Sequence, residues 1–168
     1  NFSINLWSIS MILGKFKYYL IFILIPFVVG GISASLTRDQ RYIYETLTLP
    51  PFTPPSYVFP IVWSILYFLM GVSSIMIFAQ RFKNPKDIFN ALFIYAVSLF
   101  FNFLWPIIFF NMQVFFLASI WLLILCFLVL RTIIKYGRFS KEAANLQIPY
   151  FLWTLYALYL NIGIFLLN

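Results

Sequence analysis

The side chains in this sequence that could act on a ligand are aromatic rings, amides and hydroxyls rather than acid–base groups. The chain of 168 residues contains 22 Phe, 11 Tyr and 5 Trp, but no His and only four Asp or Glu residues. Without histidine, it lacks the commonest metal ligand and general base, so we predict no metal site and no nucleophile–base pair. The chemistry that remains is stacking on rings and hydrogen bonding.

Aromatic and amide residues recur at helical spacing in three apolar segments. Residues three, four and seven positions apart share one face of a helix. The three stripes are Phe59, Trp63, Tyr67 and Met70; Ser98, Asn102, Trp105 and Phe109; and Tyr150, Trp153, Ala157 and Leu160 or Asn161. Stripes that face one another would line an apolar cavity with few polar groups, the usual composition of a small-molecule site. Ordinary helix packing produces the same spacing and is the alternative.

The elements that position these stripes are predicted to be membrane-spanning helices. The chain is 64% hydrophobic and 9% charged, with a mean hydropathy of +0.97, whereas a soluble domain is about half apolar and a quarter charged. Its apolar runs are unbroken and about twenty residues long, which is the length that spans a bilayer as a helix. We therefore predict an all-α fold, an integral membrane bundle of five transmembrane helices.

The predicted boundaries follow the polar interruptions between the runs. The spans are expected at about 18–36, 57–79, 88–110, 113–135 and 145–167, with a long loop at 37–56. Residues 1–17 are predicted to be an N-terminal extension, and residues 18–168 a single membrane domain. Pro106 lies deep in the third span and is expected to kink it, because proline removes a helical hydrogen bond.

The basic residues predict the orientation of the chain. Nine lie on the N-terminal side of the predicted membrane: Lys15, Lys17, Arg81, Lys83, Lys86, Arg131, Lys135, Arg138 and Lys141. Only Arg38 and Arg41 lie on the other side, which places the N-terminus in the cytoplasm of a bacterial plasma membrane by the positive-inside rule. The net charge of +7 is therefore a topology signal, so membrane lipid is the expected partner and nucleic acid is not.

Two further segments could have a role in packing or binding. The long loop contains Leu49-Pro-Pro-Phe-Thr-Pro-Pro55. Its paired prolines predict a stiff, extended strap that either covers the helix ends or simply connects two helices.

In the first span, Gly30 with Ala34 and Gly31 with Ser35 form small-xxx-small pairs, which permit close helix contact. Such pairs serve packing within the bundle or a homodimer, and the sequence favours neither.

Several motifs, taken together, resemble the TspO/MBR family of tryptophan-rich sensory and translocator proteins. They are Gly30-Gly31, Pro50-Pro-Phe-Thr-Pro-Pro55, Val58-Phe-Pro-Ile-Val-Trp63 with Leu66-Tyr67, Asn102 with Trp105 and Phe109-Phe110, and Pro149-Tyr-Phe-Leu-Trp153 with Ala157 and Asn161. The resemblance extends in order from about Pro26 to the C-terminus. There are departures, since the family's tryptophan before Thr-Pro-Pro is Phe52 here. A sterol-recognition pattern is absent from the last helix, because residues 156–168 contain no Lys or Arg.

The resemblance implies a five-helix bundle, often dimeric, with a ligand pocket below the first loop. It implies porphyrins, haem, sterols and benzodiazepine-type compounds as ligands, and light-dependent degradation of protoporphyrin IX in some bacterial members. Trp63 and Trp153 match the tryptophans linked to that degradation, which would give them a redox role. Other pocket positions match Tyr67, Asn102, Trp105, Ala157 and Leu160, and Tyr44 matches a loop residue above the pocket. Tyr150 joins this ligand-binding set through its place on the stripe of the fifth span.

Three functions are consistent with these residues. The first is a membrane receptor or sensor that binds protoporphyrin IX, haem or related apolar ligands between its helices, with or without light-dependent turnover; it requires no cofactor. The second is a carrier of tetrapyrroles, lipids or sterols, although no charged side chain lies at the centre of a span, where coupled transport usually needs one. The third is a structural or regulatory membrane subunit with no ligand of its own.

Overall fold

Six α-helices make up most of the computed structural model, which describes residues 6–37 and 40–168 and gives side chains for 17–37 and 42–168. They are Leu6–Leu36 (α1), Gln40–Thr46 (α2), Val58–Phe78 (α3), Pro85–Pro106 (α4), Phe115–Gly137 (α5) and Lys141–Leu167 (α6). All except the short α2 are long and apolar enough to cross a membrane, which makes five such helices among the described residues. The predicted all-α membrane bundle is confirmed.

Two helices begin earlier than the hydropathy predicted, because polar residues cap them. Asn84 precedes α4, and its side-chain carbonyl accepts a hydrogen bond from the Asp87 amide at 3.4 Å. Ser140 precedes α6, and its hydroxyl oxygen accepts from the Ala143 amide at 3.0 Å while it donates to Glu142 at 2.8 Å. Each cap satisfies a backbone donor that the first turn leaves free. The helices therefore extend into polar sequence beyond their apolar runs.

The N-terminal part and the first loop also differ from the expected boundaries. Helix α1 begins at Leu6, so the predicted extension at 1–17 is helical from that point and continuous with the first span. The loop at 37–56 contains helix α2, which its proline-rich composition did not reveal. Residues 1–5 and the predicted extramembrane cation Arg38 lie outside the described residues, as does the side chain of Arg41.

Pro106 changes the type of helix at the end of the third span. The α-helical part of α4 ends at Pro106, and the chain continues as a π-helical turn at Ile107–Asn111. A proline nitrogen cannot donate the next hydrogen bond, and π-helical turns commonly accommodate such an interruption. Gln113, with φ of 54°, then turns the chain into α5.

The five long helices form a closed ring in the order α1, α3, α6, α5 and α4. The bundle has two distinct ends. One, which we call the basic end, holds the connections Ala79–Asn84 and Arg138–Ser140. The other, the strap end, holds the first loop, the turn around Gln113 and the C-terminal Asn168. The main apolar core extends between them and includes Met70, which is fully buried.

Two glycines allow α1 and α3 to approach each other closely. A Cβ atom added to Gly71 of α3 would lie 2.6 Å from the Cα atom of Ile23 in α1. Gly30 of α1 faces the ring of Tyr67, which a Cβ atom there would overlap. Gly31, by contrast, is exposed and has open space around its Cα atom. Gly30, one of the small residues predicted to mediate packing, therefore packs against α3 within the chain. The homodimer stays a prediction.

We predict that Gly71→Ala lowers the thermal unfolding temperature in detergent micelles, because the added methyl group meets backbone atoms that cannot rotate away. Overpacking of this kind costs about 1–3 kcal/mol. Gly31→Ala is the matched control in the neighbouring helix, and it should leave the temperature unchanged or raise it slightly, since alanine favours helix by about 1 kcal/mol. Equal unfolding temperatures for the two variants would show that α1 and α3 do not pack at Gly71.

Candidate functional site

Five aromatic side chains of α3 and α6 meet in the half of the bundle near the strap end. Three from α3 lie on one face at i, i+4 spacing, and two from α6 lie one turn apart. We define them as the aromatic cluster: Phe59, Trp63, Tyr67, Tyr150 and Trp153. The ring of Trp63 stacks on Tyr67, with centroids 5.3 Å apart, and meets Tyr150 edge-on at 6.1 Å. Trp153 meets Phe59 edge-on at 5.8 Å.

A buried amide connects the aromatic cluster to α4. Asn102 donates a hydrogen bond from Nδ2 to the Tyr150 hydroxyl at 3.1 Å, and its Oδ1 accepts from the Tyr67 hydroxyl at 3.4 Å. Asn102 and Tyr150 are only 4% and 1% exposed. A polar group in the apolar interior must be paired in this way or lose about 1–3 kcal/mol. The structure thus brings together three of the predicted ligand-binding residues on three helices, with both tyrosine hydroxyls directed at one amide.

Trp105 belongs to a second polar junction beside the cluster. Its Nε1 donates to Oδ1 of Asn161 at 3.1 Å, and Asn161 donates from Nδ2 to the Phe115 carbonyl and to the Ser119 hydroxyl, both at 2.8 Å. This amide joins α4, α5 and α6 around the π-helical turn that follows Pro106. The sequence placed Asn161 on the stripe, but nothing in the sequence identified Ser119 as its partner.

The strap, Leu49–Pro55, lies across the end of α6 and is held by tyrosine hydroxyls. Tyr156 donates to the Phe52 carbonyl at 2.7 Å, Tyr159 to the Pro51 carbonyl at 2.9 Å, and Tyr44 of α2 to the Pro54 carbonyl at 2.8 Å. These carbonyls need outside donors, because the strap's prolines have no N–H groups. The strap therefore covers this end of the bundle, as predicted for one of the two readings of the loop.

The strap is not uniformly extended, as the paired prolines had suggested. It turns at Pro51 and Phe52, where Phe52 has a φ of 63°. A left-handed residue after a proline is typical of a type II turn, which usually takes glycine at that position. The Phe52 side chain is 90% exposed, so it points away from the bundle.

Tyr44 links the strap to the aromatic cluster. Its ring meets Phe59 edge-on at 5.4 Å while its hydroxyl bonds to the strap. Burial, and secondarily the nearby Tyr156, raise the pKa of Tyr44 to about 12. A tyrosine hydroxyl is already protonated at physiological pH, and the raised pKa of Tyr44 extends its capacity to donate into the alkaline range.

Trp153 differs from the other polar residues of this region. Its indole Nε1 is buried and has no hydrogen-bond partner among the described residues. Two other rings lie near the indole, Tyr156 at 5.4 Å and Phe59 at 5.8 Å between centroids. The aromatic cluster therefore contains an N–H donor that has no acceptor among the described residues.

The remaining predicted residues are buried on α6 without a polar role. Ala157 is 7% exposed and belongs to the main core together with Tyr150, and Leu160 is 4% exposed. The rings of the cluster contact one another across the space between α3 and α6. A groove of about 550 Å³ lies elsewhere, towards the basic end between α1, α3 and α4. Sequence reasoning did not find this groove, because its wall is apolar like every lipid-facing surface.

Comparisons with known proteins were consistent across the chain. Residues 22–167 match the model of the TspO/MBR family. The chain is 32% identical over 141 residues to the tryptophan-rich protein TspO of Chlorobaculum tepidum, covering 83% of this chain and 89% of that protein. It is 36% identical over 125 residues to the protein of the same name from Archaeoglobus fulgidus, with 74% and 79% covered. It is also 32% identical to the translocator protein of Bos taurus, with 83% of each chain covered.

We predict that the double variant Tyr156→Phe/Tyr159→Phe loosens the strap, since it removes two of the hydrogen bonds that hold it. At about 1 kcal/mol for each bond, amide hydrogen exchange of a peptide covering residues 47–57 should become at least about tenfold faster. Tyr42→Phe is the control, because Tyr42 is 69% exposed. Unchanged exchange in the double variant would mean that the strap is held by other contacts.

Proposed function

Because this chain belongs to the TspO/MBR family, we propose that it is a membrane receptor that binds a porphyrin, protoporphyrin IX, within the aromatic cluster beneath the strap. The observation that carries this proposal is the buried Nε1 of Trp153, which lies among aromatic rings and has no hydrogen-bond partner among the described residues. A porphyrin offers a flat surface for the rings and acceptor atoms, in its propionate groups and ring nitrogens, for the indole N–H. Burial and a satisfied donor together favour the bound state.

The bound macrocycle would replace contacts that the rings now make with one another. Trp63 and Tyr67 are already stacked, with an angle of 30° between their planes, so a flat ligand that takes the place of one partner keeps the stacked geometry. Each aromatic stack contributes about 0.5–1.5 kcal/mol beyond the burial of area. The Asn102 amide and the two hydroxyls bonded to it supply further polar groups on the α4 side.

The same residues favour a free-base porphyrin over an iron-ligated haem. The chain contains no histidine, so an axial bond to iron would have to come from Tyr, Met or Cys. The tyrosine hydroxyls of the cluster are bonded to Asn102, and Cys126 is buried on α5. These residues therefore favour a porphyrin that binds through stacking and hydrogen bonds, without an axial bond to iron.

We also propose that the basic end faces the cytoplasm of a bacterial plasma membrane. Of the described residues, Arg81, Lys83 and Lys86 lie in or beside one connection at that end, and Arg138 and Lys141 in or beside the other. The positive-inside rule relates such a concentration to the cytoplasmic side. The strap and the aromatic cluster then lie in the opposite half of the membrane.

We predict that Trp153→Phe weakens binding of protoporphyrin IX by about tenfold, the effect of losing one hydrogen bond and part of one stack. The shift of the porphyrin absorption band during titration of the purified protein measures this directly. Trp121→Phe is the control, because the Trp121 indole donates to the Phe101 carbonyl at 2.8 Å, outside the cluster. Equal affinities for the wild type, Trp153→Phe and Trp63→Phe would refute binding at the cluster.

A second prediction concerns light. An indole in contact with a photoexcited porphyrin can transfer one electron to it, which oxidises the indole and reduces the macrocycle. If this protein degrades its ligand, illumination should bleach the porphyrin band in the wild type and in Trp121→Phe, but much more slowly in Trp63→Phe and Trp153→Phe at full occupancy. Bleaching at the same rate in all four proteins would remove these indoles from the reaction, and binding alone would remain.

A further inference from the structure

The groove towards the basic end is a feature that the proposed porphyrin site does not use. Phe22 and Ile25 of α1, Phe78 of α3, and Phe89, Phe93 and Ala96 of α4 are among the residues that line it. Phe93 is 67% exposed and Phe89 57%, so the groove opens on the outer surface of the bundle rather than into its interior. In a membrane this surface faces lipid.

The wall of the groove offers almost no hydrogen bonds. Of the polar side chains that line it, the Ser74 hydroxyl donates to the Gly71 carbonyl at 3.0 Å, and the Tyr95 hydroxyl is buried. An occupant must therefore be apolar where it lies in the groove. Because lipid tails are as apolar as the wall, moving a chain from the bilayer into the groove gains packing but little hydrophobic free energy. Any selectivity must come from a polar group at the mouth.

Arg81 supplies a positive charge at the mouth. Its guanidinium carbon lies 4.1 Å from the ring centroid of Phe78, which lines the groove, and 5.7 Å from that of Tyr18. The guanidinium donates one bond, from Nη1 to the Phe78 carbonyl at 3.1 Å, and has further N–H groups to offer. The acidic residues at this end, Asp87 and Glu142, bond to Asn84 and Ser140 instead.

We propose that this groove is a binding site for an anionic phospholipid, with one acyl chain along α1, α3 and α4 and the phosphate on Arg81. The planar guanidinium of arginine matches the geometry of a phosphate. Basic positions between transmembrane helices at this depth are suited to anionic headgroups. Lys83 and Lys86, both exposed, add positive charge on the same connection, and the negative charge of the lipid complements all three.

A second copy of this chain is the competing occupant. The groove is lined mostly by apolar residues of α1, α3 and α4, so a helix of another protomer would also pack against it. Charge favours the lipid, because a second copy would bring its own Arg81 and its own basic connection to the same end. The experiment therefore measures lipid binding and oligomeric state on the same samples.

The test is native mass spectrometry of the full chain in detergent, titrated separately with phosphatidylglycerol and with phosphatidylcholine that have the same acyl chains. The wild type should bind phosphatidylglycerol at least about fivefold more tightly, the effect of one cation near a headgroup. Arg81→Gln should lose most of this preference, and the exposed Lys83 and Lys86 account for what remains. Arg131→Gln is the matched control, since Arg131 is an exposed arginine on α5 whose neighbouring ring is Phe127, at 6.0 Å.

A variant of the groove wall tests the position of the acyl chain. Ala96 is exposed and lines the groove, so Ala96→Phe fills it without disturbing the core and should weaken binding of both lipids. Ser64→Phe, a similar change on the exposed face of α3, should not weaken it.

Two results would overturn the proposal. Equal weakening of phosphatidylglycerol binding in Arg81→Gln and Arg131→Gln would show that the lipid responds to diffuse positive charge rather than to Arg81. A dimer that Ala96→Phe dissociates, with lipid binding unchanged, would assign the groove to a second copy.

Discussion

Every polar group that this bundle buries has to find its partner inside the protein, because the hydrocarbon around it offers no hydrogen bonds. The constraint explains why amide and hydroxyl side chains of the described residues form junctions where helices meet. Asn102 joins α3, α4 and α6, Asn161 joins α4, α5 and α6, and the hydroxyl of Ser33 in α1 donates to the Phe103 carbonyl in α4 at 2.7 Å. Where the whole surface of a membrane helix is apolar, such hydrogen bonds also determine which face of the helix packs inward. Two tyrosines of the aromatic cluster, Tyr67 and Tyr150, are therefore oriented by hydrogen bonds to Asn102 as well as by apolar packing.

The same constraint acts on the strap in a different form. Its prolines remove donors but leave carbonyls, so the segment is a row of acceptors. Tyrosine hydroxyls from α2 and α6 meet that need at Pro51, Phe52 and Pro54, and the Asn168 side chain exchanges two bonds with the backbone of Thr48 just before it. Gly163 permits the contact, because a Cβ atom there would lie 2.6 Å from Pro50. In this chain, tyrosines of the helix beneath the strap therefore supply donors for two of its carbonyl groups.

The sequence predicted the parts of this fold that depend on composition and period. Apolar runs located the five long helices, and helical spacing placed Trp63 with Tyr67, and Tyr150 with Trp153, on common faces. It could not predict contacts between residues far apart in the chain. Tyr156 and its acceptor Phe52 are separated by 104 residues, and nothing local in either segment refers to the other. Helix α2 and the left-handed Phe52 were missed for the related reason that both are fixed by contacts with α3 and α6, not by local propensity.

The exceptions to the pairing rule show why Trp153 has the strongest claim to a ligand. Buried side-chain atoms without a partner among the described residues also occur at Tyr95, Tyr136 and Gln147. The rings of Tyr95 and Tyr136 lie 6.2 Å apart, in the half of the bundle away from the strap. Several polar groups in one region can share a buried water, which needs about two to four partners. Trp153 lies among aromatic rings and offers a single donor, which is fewer partners than a buried water needs. The porphyrin proposed as the ligand of this site is mostly apolar and flat and carries acceptor atoms, so it matches an N–H donor that lies among rings.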